Sequence, residues 1–308
     1  MQPIWPVELR RIAWKIAVFY NNDAGSSVSA DDIRRLIEDN GHQLVHLVEK
    51  SEGLPRIFDQ AADVVVAAGG DGTVASVARA VAGRSIPLAV LPLGTANNIA
   101  ISLGCNGPLD ALVAHWARVA PVKTDLGVAT GPWGDRRFVE GVGGGLVARA
   151  ISTMDATPIA DDTPTHERIR MALGAYLDEL STLKARPWTL RLDGTLVEDD
   201  FLLVEVLNIQ SIGPNFAIAH CAELSDGQFT VVLARETERE QLCAYWRARI
   251  EGQAPALSLD TRHATQVIID HGDDMHIDDT LFPAAEDGAI RLWVDKAALS
   301  VIRGPFPR

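Results

Sequence analysis

The sequence predicts an α/β fold in two parts: an N-terminal doubly wound parallel-sheet domain, then a C-terminal, mostly antiparallel β-sandwich domain with inserted helices. Two observations in the pattern carry this reading. From Lys15 to about Gly127, short apolar runs alternate with helical segments; after Gly127, strand-like runs follow one another with turn signals between them. A third is size, since 308 residues of which 47% are hydrophobic can bury a large core and divide into two domains. The expected division is 1–127, 128–294, and a C-terminal segment 295–308 that returns to the first domain.

In the first half the apolar run Ile16–Tyr20 is a buried strand, and a helix runs from about Ala30 to Asn40. Strands at Gln43–Val48 and Val64–Ala68, a helix at Val74–Val81, a strand at Pro87–Leu91 and a helix at Leu109–Val119 complete the alternation. In the second half, strands are expected at Arg137–Gly141, Trp188–Leu192, Leu196–Leu207, Gln228–Leu233, Gln266–Ile269 and Ile290–Val294, with turns at Asp193-Gly194 and Asp226-Gly227. Thr163-Pro164 opens a helix in which Ile169, Leu173, Tyr176, Leu180 and Leu183 recur at helical spacing, a stripe that reads as core. Thr237-x-x-Glu240 reads as the capping box of another helix. Asp155–Thr165, rich in Asp, Thr and Pro, reads as a loop.

A net charge of −13 argues against nucleic acid as a partner and limits membrane contact to a transient one, because both need a basic face. The short pairs Arg10-Arg11 and Arg136-Arg137 read as solvated surface charge. Cys105, Cys221 and Cys243 are odd in number and without a Cys-x-x-Cys pair, so neither a disulfide framework nor a zinc site is indicated. Met1–Arg11 lacks the apolar region of a secretory signal and no run approaches a membrane span, which makes a cytoplasmic location the expectation. Edges of the second sheet leave a homodimer open.

The most informative stretch is Gly69-Gly70-Asp71-Gly72-Thr73, which follows a buried strand and opens a helix. Glycines in such a loop allow positive φ and turn amides toward an anion, and the helix N-terminus adds partial positive charge. Asp71 would repel the same phosphate unless it holds a cation or takes a proton, so the loop points to phosphoryl chemistry with a metal. A dinucleotide fingerprint fits the glycines, but the next strand ends Val90-Leu91-Pro92 without the acidic residue that reads ribose hydroxyls. A Walker loop is excluded because no Gly-Lys-Ser/Thr follows. Pro92-Leu93-Gly94-Thr95-Ala96-Asn97-Asn98 again joins a strand to a helix, and two such loops at adjacent strand ends make one site.

With both loops in view, the chain resembles the diacylglycerol-kinase-like lipid kinases, which carry Gly-Gly-Asp-Gly-Thr followed by Pro-Leu-Gly-Thr-x-Asn. Asn21-Asn22-Asp23-Ala24-Gly25 resembles the family's first loop, Asp125-Leu126-Gly127 its inter-domain motif, and Leu224-Ser225-Asp226-Gly227 its second-domain turn. NAD kinases share the glycine loop and are the neighbouring alternative. The resemblance implies that Gly69, Gly70, Gly72, Thr73 and Thr95 cradle ATP phosphates, with Asn21 and Asn97 on the nucleotide side. It implies that Asp71 holds Mg2+ or receives the substrate hydroxyl proton, that Asp125 joins the same carboxylate network, and that Asp226 belongs to a separate structural metal site, a plain turn being the equal alternative there.

The departures from the family concern the chemistry. Asn98 stands where many relatives have aspartate, and alignment of the family's Asp-Gly-Glu turn with Asp278-Asp279-Thr280 puts Thr280 where a glutamate base is expected, unless a shift of one residue makes Asp279 the replacement. Asp270-His271-Gly272-Asp273-Asp274-Met275-His276 has metal-ligand residue types but reads as a hairpin turn. The expected activity is ATP- and Mg2+-dependent transfer of the γ-phosphoryl group to a hydroxyl of a lipid or lipid-like acceptor. A catalytically impaired nucleotide- or lipid-binding relative, or a kinase of a soluble acceptor such as NAD, is the alternative.

Overall fold

A computed structural model of the chain describes residues 13–22, 27–157, 160, 163–284 and 289–307. Asp23–Gly25 of the first loop, the Arg10-Arg11 pair and part of the 155–165 loop lie outside them. The elements, in chain order, begin with β1 (Lys15–Tyr20), α1 (Ala30–Asp39), β2 (Gln43–Glu49), β3 (Val64–Gly69), α2 (Asp71–Val81), β4 (Leu88–Pro92), α3 (Asn98–Ser102), α4 (Leu109–Trp116) and β5 (Val122–Gly131). There follow β6 (Gly134–Phe138), β7 (Gly141–Gly145), α5 (Leu146–Asp155), α6 (Thr165–Thr182), β8 (Arg186–Leu192), β9 (Thr195–Leu207), β10 (Ser211–Ile212), β11 (Phe216–Ala217) and β12 (Phe229–Arg235). The last elements are α7 (Arg239–Ile250), β13 (Asp260–Ala264), β14 (Gln266–His271), β15 (Met275–Ile277), β16 (Thr280–Phe282) and β17 (Ile290–Val301).

β2, β1, β3 and β4 pair in parallel in that order, so the loops after β1, β3 and β4 emerge at one edge of the sheet. Both faces are covered. Ala17, Phe19, Val65, Ala67 and Val90 pack on one side, and Ile16, Val18, Val64, Val66, Ala68 and Leu91 on the other, the period-2 alternation of a strand buried twice over. α1 starts on a capping box, Ser29 with Asp32, and buries Ile33 and Ile37. The second half is antiparallel: β7 and β8 flank β9, β12 joins its other end, and β14 pairs with β8 and β17. Helices α5, α6 and α7 cover one face through Leu146, Leu173, Tyr176, Leu180 and Trp246. Trp188, Leu190, Val204, Val206 and Val231 fill the other.

The two sheets are one continuous structure through a ribbon of β5 and β17. β17 starts on β14, runs antiparallel along β5 from Arg291 opposite Thr130 to Val301 opposite Val122, and ends in parallel beside Leu88 of β4. The ribbon bulges between Asp295 and Leu299, where Ala297 has φ 54°. Asp125, 6% exposed, holds this place together. Its carboxylate accepts the Ala297 amide at 2.7 Å and the Gly227 amide at 2.9 Å, while its own amide donates to the Leu224 carbonyl at 2.6 Å.

Several local expectations are corrected. α2 begins at Asp71, three residues before Val74, because Gly70 serves as N-cap and the glycine loop is itself the first helical turn. α4 stops at Trp116, short of Val119, and Pro121 follows, which biases Ala120 away from helix. The single strand expected at Arg137–Gly141 is two strands, because the Val139 and Glu140 amides turn away from the ladder to donate to Asp278. The Thr237/Glu240 capping box does not form: Glu238 reaches back to the Arg235 amide and α7 starts after it. Asp273-Asp274 is not a hairpin turn, since β14 pairs with β8 and β17 whereas β15 pairs with β7 and β16; the hairpin turn is Asp278-Asp279. The His271 side chain lies outside the described residues.

Replacing Asp125 removes the acceptor of two amides at the junction of the sheets, and Asp125→Ala is expected to lower the unfolding free energy by about 2–4 kcal/mol in urea titration.

Candidate active site

The loops after β3 and β4 meet backbone to backbone. A Cβ on Gly94 would stand 2.3 Å from the Gly70 Cα, so neither position tolerates a side chain without moving the other strand end. Gly69 is needed for a different contact, because a Cβ there would fall 2.5 Å from Thr73 Oγ1. None of Gly69, Gly70 and Gly72 has positive φ, which corrects the conformational reason for the glycines: close approach demands them. The left-handed residue is Asn97, φ 56°. Its side chain accepts the Gly94 amide at 3.0 Å and donates to the Gly94 carbonyl at 2.8 Å, so it folds the loop and does not line the cavity below.

Asn21, Gly70, Asp71, Gly72, Thr73 and Thr95 line one cavity of about 580 Å3, together with Lys50 and Asp279. Asn21 Nδ2 donates to Thr73 Oγ1 at 3.2 Å, joining the first loop to the glycine loop. Asp71 turns its carboxylate toward the start of α3 and accepts the Ile99 amide at 2.9 Å. Burial pushes its carboxyl above the usual aspartate range, the Asn97, Asn98 and Ile99 amides oppose that, and the Asp278 charge adds to it.

Thr280 is not the carboxylate-bearing position of the β15–β16 turn. Asp278 has φ 50° and is 4% exposed; its carboxylate accepts from the Val139 and Glu140 amides and pairs with Arg79 of α2 at 2.7 Å. Asp279 then points into the loop cavity, where a Cβ on Gly72 would stand 2.9 Å from its Oδ2. Thr280 instead lines a separate groove of about 740 Å3 with Arg79, Arg136, Arg137 and Trp293, which takes in neither glycine loop.

The structure does not bring every expected residue here. Asp125 does not line the cavities around Asp71; its two oxygens accept the Gly227 and Ala297 amides at the sheet junction. Asp226 is exposed and accepts the Gln228 amide at 2.9 Å, the geometry of an Asx turn. No group of three His, Cys, Asp or Glu side chains stands ready to hold a metal among the described residues.

One residue the sequence reading missed is Glu140, 7% exposed, which lines a cavity of about 160 Å3 with Asp71, Asn98 and Asp279. Burial and the charges of Asp71, Asp278 and Asp279 push its carboxyl well above the usual glutamate range. In sequence it sits immediately before the glycine-rich run Gly141–Gly145, with no motif to mark it. A third cavity, about 410 Å3 and largely apolar, opens from the same place between α5 and α6 and is lined by Thr95, Ile151, Met154, Ile169, Tyr176 and Asp279. Ile169 and Tyr176 of the core stripe thus also face this cavity.

This geometry agrees with what the chain is similar to. Residues 15–129 match the diacylglycerol kinase catalytic domain, and residues 143–290 match the YegS C-terminal NAD kinase beta sandwich-like domain. The chain belongs to the diacylglycerol-kinase-like lipid kinase family. It is 28% identical over 217 residues to a protein of Mycobacterium tuberculosis named diacylglycerol kinase, covering 68% of this chain and 65% of that protein. The chain therefore spans a little under two thirds of that relative's length. It is 27% identical over 235 residues to a Cronobacter sakazakii protein named "Probable lipid kinase YegS-like", covering 71% and 73% of the two chains. A crystal structure of a diacylglycerol kinase from Bacillus anthracis superposes with a TM-score of 0.67 at 17% identity over 96% of this chain and 98% of that one, a likeness of fold. No helix of the described residues is long and apolar enough to cross a membrane.

The raised Glu140 carboxyl has a stability consequence with a definite sign. A carboxyl whose folded value exceeds its unfolded value binds more protons in the folded state, so stability falls as pH rises from the ordinary glutamate value of 4.5 through the folded value. Without added metal, Glu140→Gln is expected to melt higher than the parent chain at about pH 8, with the difference closing toward about pH 5. Differential scanning calorimetry across that range measures it.

Proposed function

We propose that the chain transfers the γ-phosphoryl group of ATP to a hydroxyl of a lipid or lipid-like acceptor. The observation that carries this reading is that Asp279 lines both the polar loop cavity and the apolar cavity between α5 and α6, the arrangement needed where a nucleotide and a long-chain acceptor meet. The alternative of a soluble acceptor such as NAD leaves the apolar cavity without a use.

The loop cavity fits a triphosphate: side-chain-free strand ends at Gly70 and Gly94, hydroxyls on Thr73 and Thr95, and the N-terminus of α2 all favour phosphate. The acidic side chains beside it fit Mg2+, which takes one or two carboxylates and keeps several waters, so it needs no closed cage of protein ligands. When bound, Mg2+ would neutralise the charge that develops on the phosphate during transfer. Asp71 is the residue that would hold it on the nucleotide side. Asn21 and Thr73 orient the first loop against the glycine loop, and Asp279 accepts the proton of the attacking hydroxyl at the mouth of the apolar cavity. Asp226 belongs, on this reading, to its own turn, and Asp125 keeps β17 in register beside the site.

The reading of an impaired relative rests on Asn98 and Thr280, and Asp279 answers half of it by offering a carboxylate one residue earlier. Asp279→Asn is expected to lower kcat by about 10²–10⁴-fold with ATP binding retained, as is Asp71→Asn at saturating Mg2+. Radiolabelled-ATP assays on diacylglycerol, a sphingoid base, phosphatidylglycerol and NAD, with calorimetric ATP titration of each variant, check this. Labelling of NAD alone, or of nothing, overturns it. Ile151→Trp, which fills the apolar cavity, is expected to raise KM for a long-chain acceptor about tenfold or more and leave KM for ATP unchanged.

A further inference from the structure

The cavity of about 160 Å3 lined by Asp71, Asn98, Glu140, Asp278 and Asp279, with Ala75, Ile151 and Ile212 beside them, holds two groups whose oxygens have no donor among the described residues. Asn98 is 2% exposed, and its Nδ2 donates to the Gly213 carbonyl at 2.8 Å. That bond fixes which way the amide points, because a carbonyl only accepts. The other end, Oδ1, is buried and has no partner among the described residues. Glu140 lies opposite on the same cavity. Its amide goes to Asp278, but no group among the described residues hydrogen-bonds its carboxylate, and its electrostatic neighbours are Asp71, Asp278 and Asp279, with the buried Tyr176 hydroxyl on the other side.

Asp278 itself is not available to a ligand, since Arg79 and two amides occupy its carboxylate. What remains on the cavity wall is Asp71, Glu140 and Asn98, with Asp279 shared between this cavity and the loop cavity. Asp71 has the α3 amides, including the Ile99 amide at 2.9 Å, but Asn98 Oδ1 and the Glu140 carboxylate have no hydrogen-bond donor among the described residues, and two carboxylates beside a neutral amide oxygen call for a cation or a proton. The donor set is all oxygen, with no sulfur or imidazole, which selects a hard divalent ion. A cavity of this size admits such an ion with some of its waters.

We propose that Glu140 is a ligand of a divalent-cation subsite completed by Asp71 and Asn98 Oδ1, and that it supplies in this chain the second negative charge that Asn98 does not provide. The inference rests on the phosphotransferase reading for the identity of the ion as Mg2+. It names a residue outside both glycine loops, on the turn between β6 and β7, as part of the metal-holding group.

Binding is measured without nucleotide or acceptor, using the full chain and Mn2+ as a paramagnetic probe, with bound and free ion counted by electron paramagnetic resonance and Mg2+ added as competitor. The parent chain is expected to bind Mn2+ displaceably by Mg2+, and Glu140→Gln to weaken that binding by about tenfold or more with an unchanged circular dichroism spectrum. The double variant Asn98→Asp with Glu140→Gln moves the charge across the cavity and is expected to recover most of the affinity. Asp31→Asn, an exposed carboxylate in the first turn of α1 that does not line the cavity, is expected to change none of this. Unchanged Mn2+ affinity in Glu140→Gln, failure of the double variant to recover affinity, or absence of Mn2+ binding by the parent chain overturns the proposal, the last leaving a protonated Glu140 as the answer to the orphaned acceptors. Metal binding through Glu140 without phosphorylation of any acceptor overturns the kinase reading alone; phosphorylation with metal binding indifferent to Glu140 overturns this inference alone.

Discussion

The site depends on one buried carboxylate, that of Asp278. It draws in Arg79 from α2, the Val139 and Glu140 amides from the turn between β6 and β7, and through its own backbone the Gly141 carbonyl. Three segments far apart in sequence thereby meet at one residue. The helix that follows the glycine loop is locked to the antiparallel half, Glu140 is turned inward, and Asp279, next in the chain, is directed at Gly72. A buried ionised group without such partners would be strongly destabilising, and here burial pushes the carboxyl up while Arg79 and the two amides pull it down. His276 sits under the same turn, its Nδ1 donating to the Asp278 carbonyl at 2.8 Å and its Nε2 facing Glu205 at 3.1 Å.

Close backbone approach is the second constraint, and it explains the glycines better than conformational freedom does. Gly70 and Gly94 touch each other, Gly72 makes room for Asp279, and a Cβ on Gly143 would fall 2.3 Å from the Glu205 carboxylate. In each case a side chain would push one of the two glycine loops or a buried polar group out of place. The long ribbon of β5 and β17 supplies the rigidity these contacts need, because it belongs to both sheets at once. Asp125 fixes its bulge by accepting the Gly227 and Ala297 amides.

Much of the fold was legible because it is written in local periodicity. β1, β3 and β4 are continuous apolar runs, α1 has its cap and amphipathic stripe, and Asp193-Gly194 makes the hairpin it announces. What was missed is what long-range pairing creates. β5 has no clear apolar alternation and forms because β17 lies beside it; β6 and β7 separate because Asp278, 138 residues on from Glu140, takes the Val139 and Glu140 amides between them. The loop residues Asn21, Gly70, Asp71, Gly72, Thr73 and Thr95 were readable as a group, since two loops at adjacent strand ends of a parallel sheet must be neighbours. Glu140 was not, because nothing in Val139-Glu140-Gly141 says that the chain turns inward there.

The electrostatics of the site follow from these placements. The chain carries net charge −13, and its centre concentrates Asp71, Glu140, Asp278 and Asp279 beside loops built to receive an anion. One of the four is neutralised by Arg79, and Asp71 is eased by amides at the start of α3. On the phosphotransferase reading, phosphate alone would meet these carboxylates as well as Lys50 and Arg168 of the loop cavity, and a cation alone would leave the α2 N-terminus and the Thr73 and Thr95 hydroxyls without an anion. Each ligand would then lower the penalty that the other meets, a coupling that is reciprocal by linkage. The apolar cavity reaches Asp279, so an acceptor lodged there would shield the same carboxylates from water and strengthen that coupling.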